Sequence, residues 1–423
     1  MIIATHYIKM NSGGLERCLS VLLRIWVDLG HEVILYTDEK PNKEDFVYPN
    51  QVKRIVLPKD EKQIRKKFWE EEISRNRIDL FIEHYYWNAK NIIEVAQVVK
   101  KNNVPFYLYI HGNYTSMYKT IDKDGFLFHD AIKICDKVLC LSKINKDFIE
   151  LCGGKAELIT NPVYDSLVKN NISYECRVYK DVKHILWLGR IDEGKHLDEA
   201  LIAFNNVANR YNDIILDIVG DWQMTGDVNN YINSFIDAKN RNRVIYHGFS
   251  TDIDYFYKNT DIFLLTSEAE GYCYTLLESK AYSCPVVMYD LPYLSLTGEG
   301  KGIIACEQRN IGALSEALCL LISDKEKYKQ CSKEAYEDFE AIKRFDINAM
   351  WDNVFNASLA KQNNKKNDSL MMDMLFGEIN RTVNGIYLTE EYRIGKVVAQ
   401  IEHAPFRLAG RILKKLRKVL SEK

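Results

Sequence analysis

EGYCYTLLES, residues Glu270 to Ser279, places two glutamates, Glu270 and Glu278, with seven residues between them. The apolar run IFLLT, Ile262 to Thr266, stands just upstream and reads as a buried strand. Glu270 then falls on the loop after that strand. Gly271 allows the backbone to turn tightly and come close to a ligand. A helix is expected to start near Tyr274 or Thr275, with Leu276, Leu277 and Ala281 on its buried face. The open N–H groups and dipole of a helix start favour an anion. Glu278 lies in or just after the first turn, so both carboxylates can face one cleft. A carboxylate can accept two hydroxyl hydrogen bonds and so suits a vicinal diol. Taken singly, Glu270 reads as a surface loop charge and Glu278 as compensation of the helix dipole.

LGRIDEGKHLDEAL, Leu188 to Leu201, changes that balance. A strand ends at Gly189, Arg190 and Lys195 follow across a short loop, and a helix begins. Ligands of open α/β sheets bind at the carboxyl ends of strands. Two cations there suit a diphosphate, Arg190 as a fork and Lys195 as a compact charge. On their own they are two solvated loop charges. Together with Glu270 and Glu278 they match a nucleotide sugar, which carries diols on both sides of a diphosphate.

Farther out, strands and helices alternate through the whole chain. In the first third Leu15, Cys18, Leu19, Leu22, Trp26 and Leu29 recur at helical spacing, and Gly30 ends that helix. VILYT, DLFIEH, FYLYIH and KVLCLS read as strands. The pattern restarts with HILWLG, IILDIVG, VIYHGF, IFLLT and PVVMYD. Such alternation predicts parallel sheets with helices on both faces, in two doubly wound halves flanking a cleft. The boundary is expected near Asn161 to Lys180, where the sequence turns polar and irregular.

The stretch Glu270-GYCYTLL-Glu278 resembles the E-x7-E signature of the retaining glycosyltransferases of family 4 (glycosyltransferase group 1). LGR…GK at Gly189, Arg190, Gly194 and Lys195, IVGDW, YHGF, AYSCPVVMYD, GGLERCL and GHEV fit the same family in the same order. The resemblance covers roughly residues 1–360. It implies an α/β chain of the GT-B fold, with two Rossmann-like domains facing a central cleft. The expected division is an acceptor domain at 1–165, completed by a helix at about 345–362, and a donor domain at 166–344. The family implies that Arg190 and Lys195 bind the donor diphosphate, Glu278 the ribose hydroxyls and Glu270 the transferred sugar. Amides of Gly13, Gly14, Thr275 and Leu276 would approach the diphosphate and sugar, with Gly271 beside them. His111, in LYIHGNY, matches a histidine near the reacting sugar; as a plain strand-end histidine it would be structural. His84 ends another strand and ranks below it. The implied reaction retains the anomeric configuration, needs no cofactor and uses a nucleotide-diphosphate sugar, a UDP- or GDP-sugar before others. Closure of the two domains would exclude water. The family often has Gly at Cys273 and at or near Ser283, which bears on the sugar pocket.

Composition narrows the class. The chain has 423 residues, too many for one ordinary core. A net charge of −2 argues against nucleic acid as a partner. Ten scattered cysteines form no C-x-x-C pair and read as reduced thiols, so a cytoplasmic location is expected. The strings Asp122-Lys123-Asp124 and Asp252-Ile253-Asp254 are too short to argue for a metal, and capping explains the second. After the polar KQNNKKNDS the chain ends in PFRLAGRILKKLRKVLSEK, residues 405–423 of a tail at 363–423. Its apolar face and the basic Arg411, Lys414, Lys415, Arg417 and Lys418 suit a helix lying on an anionic membrane surface, such as the inner face of the plasma membrane. Docking on the protein itself is the other reading. A glycan or lipid-linked acceptor of bacterial surface polysaccharide synthesis would suit such a place. Two other classes fit the fold: a sugar-nucleotide epimerase or phosphorylase, and a non-catalytic nucleotide-sugar-binding protein. The retained Arg190, Lys195, Glu270 and Glu278 argue for transfer over both.

Overall fold

The computed structural model describes residues 1–11, 13–59, 62–113, 127–180 and 183–362. The tail at 405–423 and the string Asp122–Asp124 lie outside the described residues. The chain divides into two compact units. Unit 1 holds Met1–Thr160 and the chain from Ile347 on; unit 2 is Asn161–Asp346.

Unit 1 runs β1 (Ile2–Tyr7), α1 (Gly14–Asp28), β2 (Glu32–Thr37), β3 (Lys53–Val56), α2 (Lys62–Asn76), β4 (Leu80–Glu83), α3 (Ala89–Lys101), β5 (Phe106–Ile110), α4 (Phe128–Ile134), β6 (Lys137–Cys140), α5 (Lys143–Leu151) and β7 (Ala156–Leu158). Its seven strands are parallel in the order β3-β2-β1-β4-β5-β6-β7. Unit 2 runs α6 (Asp165–Asn170), β8 (Lys183–Leu188), α7 (Leu197–Ala208), β9 (Ile214–Val219), α8 (Val228–Phe235), β10 (Val244–Gly248), α9 (Ile253–Asn259), β11 (Ile262–Leu265), α10 (Tyr274–Ala281), β12 (Val286–Tyr289), β13 (Ile303–Cys306), α11 (Ile311–Ser323) and α12 (Lys325–Lys343). Its six strands are parallel in the order β10-β9-β8-β11-β12-β13. α13 (Ile347–Gln362) belongs to unit 1. There Trp351 and Phe355 pack on Trp26, with ring centroids 5.0 and 6.0 Å away.

Each strand order reverses once, at β1/β4 in unit 1 and at β8/β11 in unit 2. Such switch points are where ligands bind, beyond the carboxyl ends of the strands. The strands at these points are apolar runs buried on both sides, including Leu80–Ile82 and Ile262–Leu264.

Three strands carry no such signal and were not expected. β3, KRIV, is a half-exposed edge; β7, AEL, is three residues long; β13, IIAC, follows a glycine-rich loop. Asp252 accepts from the Tyr255 N–H at 3.2 Å and caps α9, which gives the second D-x-D string a local role. All ten cysteines are free, and all but Cys176 are buried. Among the described residues no helix is long and apolar enough to cross a membrane.

Candidate functional site

The carboxyl ends of β8, β9 and β10 close on one another through glycines. The Gly189 N–H donates to the Val219 carbonyl at 3.1 Å, and the Gly220 N–H to the Gly248 carbonyl at 2.8 Å. A Cβ on Gly220 would sit 1.8 Å from the Gly189 carbonyl oxygen. Only glycine lets these strand ends touch. The motif glycines therefore shape a flat rim from which the Arg190–His196 loop rises.

That loop is tied to the one after β11 at several points. Thr266 links them: its hydroxyl donates to the Lys195 carbonyl at 2.8 Å and accepts from the Trp187 indole N–H at 3.0 Å. The Glu268 N–H donates to the Gly194 carbonyl at 3.0 Å. Lys195 Nζ then meets Glu270 Oε1 at 2.5 Å, both side chains largely buried. Burial alone would lower the Lys195 pKa; the Glu270 carboxylate outweighs it, and the ammonium is held above its ordinary value. The Glu270 N–H donates to the Tyr293 hydroxyl at 3.0 Å, so a loop beyond β12 fixes the backbone that carries this carboxylate. Ser267, buried between these contacts, has a hydroxyl with no hydrogen-bond partner among the described residues. Arg190 stands out more, with its side chain 63% exposed and paired to Asp192 at 3.2 Å.

α10 starts at Tyr274, as the sequence predicts. Its N-cap is Cys273, in the left-handed region at φ 68°. Ser283, just past its end, is left-handed too, at φ 53°. Glycine suits both positions best, and non-glycine residues there carry a backbone cost. At Ser283 the hydroxyl donates to the Ile172 carbonyl, which offsets some of it. Burial pushes the Cys273 thiol up to about 12, and Glu270 adds to that, so it stays neutral. The Leu276 and Leu277 N–H groups both donate to the Cys273 carbonyl, at 3.1 and 3.2 Å. The Leu276 amide, expected near the donor, is thus also engaged inside the helix. Tyr274 and Thr275 precede it in the first turn of α10.

Glu278 is 4% exposed. The Tyr164 hydroxyl donates to its Oε1 at 2.8 Å, and the Tyr257 hydroxyl lies 3.2 Å from its Oε2. It is a buried, held carboxylate rather than a solvated one offset against a dipole. Two residues on, Lys280 is fully buried, bonded to Asp338 at 2.9 Å and to the Lys301 carbonyl at 2.6 Å. Burial pulls its pKa down to about 8 despite Asp338. This pair locks α10 against α12. None of Thr266, Tyr293, Tyr164, Tyr257 or Lys280 was expected from the sequence. The crowding of tyrosines in EGYCYT was the one visible sign, and it names no partner.

The remaining expected residues belong to unit 1. Gly13 is the N-cap of α1 in extended backbone, and its carbonyl accepts from the Arg17 N–H. A Cβ on Gly13 would meet the Glu16 carboxylate at 2.3 Å, so that side chain, and not open space, lies over the glycine beside Gly14. His111 follows β5 and is buried, with its Nε2 2.7 Å from Nδ1 of His84. Its ring stacks on Tyr109 at 3.8 Å. Burial drives both imidazoles down, His84 to about 3 and His111 well below its ordinary value, so both are neutral. His84, ranked below His111, is its direct partner. Beside them His6 faces Glu83 across the β1–β4 register, 2.9 Å from both carboxylate oxygens, and Asp38 at 3.3 Å. Burial would lower its pKa, but Glu83 and Asp38 hold it at about 9.

Comparison with known proteins gives the family and the fold. Residues 169–338 match the model of the glycosyl transferases group 1, and residues 12–166 that of glycosyltransferase family 4. Poly(glycerol-phosphate) alpha-glucosyltransferase of Bacillus subtilis is 23% identical over 83% of this chain and 52% of its own length. The chain thus spans little more than half the length of the first curated relatives it matches. Alpha-monoglucosyldiacylglycerol synthase of Streptococcus pneumoniae is 26% identical over 56% of each chain. A Campylobacter jejuni alpha-N-acetylgalactosaminyltransferase acting on a diphospho-undecaprenol glycan is 25% identical over 79% of this chain and 94% of its own. Sucrose-phosphate synthase from Thermosynechococcus elongatus superposes with a TM-score of 0.67, at 14% identity, over 85% of this chain and 99% of its own. HepE of Anabaena, in complex with UDP, gives 0.66 at 15% identity, over 86% and 100%. These likenesses bear out the expected GT-B fold.

Proposed function

The chain belongs to the glycosyltransferases of group 1 and family 4, and from that premise we propose that it transfers a sugar, with retention, from a nucleotide-diphosphate sugar to a surface glycan or lipid-linked acceptor. The observation that carries this reading is the Lys195–Glu270 pair at the β8/β11 switch point, 2.5 Å apart and braced by Thr266, Glu268 and Tyr293. Without a donor each group neutralises the other. An arriving diphosphate offers Lys195 a stronger anion, and Glu270 is released to accept hydroxyls of the sugar. Arg190, exposed on the same loop, closes on the outer phosphate oxygens as a fork. The first amides of α10 add the positive end of a helix dipole.

In this scheme the bond from the anomeric carbon to the diphosphate oxygen breaks as the acceptor hydroxyl approaches from the same face. The leaving oxygen takes the acceptor's proton. Charge grows on the diphosphate as the bond breaks, and Lys195 and Arg190 bind it more tightly then than in the ground state. Glu278 receives the ribose hydroxyls. No metal or organic cofactor is assigned a role; UDP- or GDP-sugars are the donors to test first.

The acceptor class comes from the relatives. Their names describe transfer to a polymer of glycerol phosphate, synthesis of a glycosyldiacylglycerol and extension of an undecaprenol-linked glycan. All three are membrane or envelope polymers or lipids, and the basic stretch at 405–423 would hold the enzyme at an anionic surface where such acceptors lie. The test is turnover. Incubated with UDP- and GDP-sugars and an extract of envelope lipids and polymers, the full chain is expected to release one nucleoside diphosphate. The product's anomeric configuration, read by proton NMR, is expected to equal the donor's. An inverted product, or epimerised donor without transfer, would refute the scheme.

A further inference from the structure

Tyrosines surround the Glu270–Glu278 segment, and the transfer scheme assigns them no part. They bind α10 to the stretch that opens unit 2. The Tyr272 hydroxyl donates to the Asn161 carbonyl at 3.3 Å, and the Tyr274 hydroxyl to the Pro162 carbonyl at 3.0 Å. Tyr164, two residues after Pro162, returns the contact by donating to Glu278 Oε1 at 2.8 Å. The rings of Tyr164 and Tyr274 lie 6.2 Å apart, and those of Tyr272 and Tyr274 5.2 Å. Tyr164 is 7% exposed. On the other oxygen, Tyr257 of α9 is fully buried and stacked flat on Tyr282, with centroids 5.3 Å apart. Its single hydroxyl proton is shared, since the Thr275 carbonyl stands at 2.9 Å and Glu278 Oε2 at 3.2 Å. Tyr164 therefore makes the stronger bond to the carboxylate.

We propose that Tyr164 is a positioning residue for the donor's ribose: its phenol fixes the plane of the Glu278 carboxylate, with Tyr257 as a weaker second brace. The proposal rests on the reading that Glu278 takes the ribose hydroxyls. A carboxylate accepts at about four sites, and a phenol on each oxygen orients it. Two held oxygens at fixed spacing match the two hydroxyls of a vicinal diol. A carboxylate fixed beforehand loses little freedom when the diol arrives, and that saving appears as affinity. If the phenol is removed, the carboxylate stays buried but loses a hydrogen bond and gains a rotation. The loss should fall on recognition of the diol and spare recognition of the diphosphate.

Calorimetric titration of the full chain tests this. The ligands are UDP and GDP, whichever binds, and their 2′,3′-dideoxy forms, against wild type, Tyr164→Phe, Tyr257→Phe and Glu278→Ala. Wild type is expected to prefer the ribose form by about tenfold or more, the worth of a hydrogen bond to a charged group. Tyr164→Phe is expected to lose most of that preference while its affinity for the dideoxy form stays within about twofold of wild type. Tyr257→Phe should lose less. A merely structural role would weaken both ligands together. If wild type discriminates and Tyr164→Phe discriminates equally, the positioning role is refuted and the Glu278 reading stands. If wild type does not discriminate, the Glu278 reading fails and takes the proposal with it. Should Tyr164→Phe not fold, Tyr257→Phe decides: a reduced preference supports the brace, and an unchanged one overturns it.

Discussion

The two sheets end in opposite ways at their carboxyl edges. In unit 1 the strands end in side chains that bond one another: His6 to Glu83 and Asp38, His84 to His111. In unit 2 the strands end in Gly189, Gly220 and Gly248, and the charged groups stand beyond them on loops. The same topology thus carries an internally paired ionic cluster in one unit and a rim with transferable charges in the other. In the proposed scheme the Lys195–Glu270 pair of unit 2 trades its partner for a ligand. In unit 1 the charge on His6 is committed to the fold.

The largest effect should come from removing a transferable charge. Lys195→Ala is expected to lower turnover by about 10²- to 10³-fold, the cost of losing one preorganised group at a growing charge. Thermal unfolding should change less, because the unpaired Glu270 carboxylate keeps some access to water while its backbone N–H keeps the Tyr293 contact. Equal loss in a steady-state assay and in stability would mean that the pair is structural.

Next is the rim. Gly220→Ala would drive a Cβ into the Gly189 carbonyl and force the two strand ends apart. A loss of about 3 kcal/mol is expected in denaturant titration, at the upper end for overpacking. A stability within experimental error of wild type would show that the strand ends do not need this contact.

Unit 1 should instead reveal itself through pH. His6 is held at about 9, above its ordinary 6.5, so its contribution is fully present below about 6.5 and lost as pH rises towards 9. His84 is depressed to about 3 and is neutral when folded, so the unfolded chain takes up its proton first. Stability should therefore also fall as pH drops below about 6.5. Unfolding midpoints across this range should form a dome, and His6→Gln should flatten its alkaline side. A profile that His6→Gln leaves unchanged would break the contrast between the units. The smallest effect is expected at Cys273→Gly. Relief of a left-handed residue is worth about 1 kcal/mol, and loss of a buried thiol offsets much of it.

Much of this was legible in the sequence, because parallel sheets write their strands as apolar runs and their ligand loops as glycines and charges. Ile262–Leu265, Glu270 and the start of α10 were found in that way, as were Arg190 and Lys195. β3 and β7 were not, since an edge strand of mixed charge and a three-residue strand have no periodicity to read. The braces on the site were hidden for another reason. Tyr164 lies 114 residues from Glu278 in sequence, and Thr266 lies 71 from Lys195. No local pattern announces a hydrogen bond across such a distance.

The central claim is that unit 2 holds a nucleotide through Lys195, Arg190 and Glu278. The most direct test follows the thermal unfolding of the full chain with UDP, GDP, ADP and CMP, alongside Glu278→Ala. Ligand at 100 times its dissociation constant adds about 2.7 kcal/mol to the folded state. The expected result is a raised midpoint with one nucleoside diphosphate, lost or strongly reduced in Glu278→Ala. No shift with any nucleotide, or a shift that Glu278→Ala leaves intact, would contradict the account.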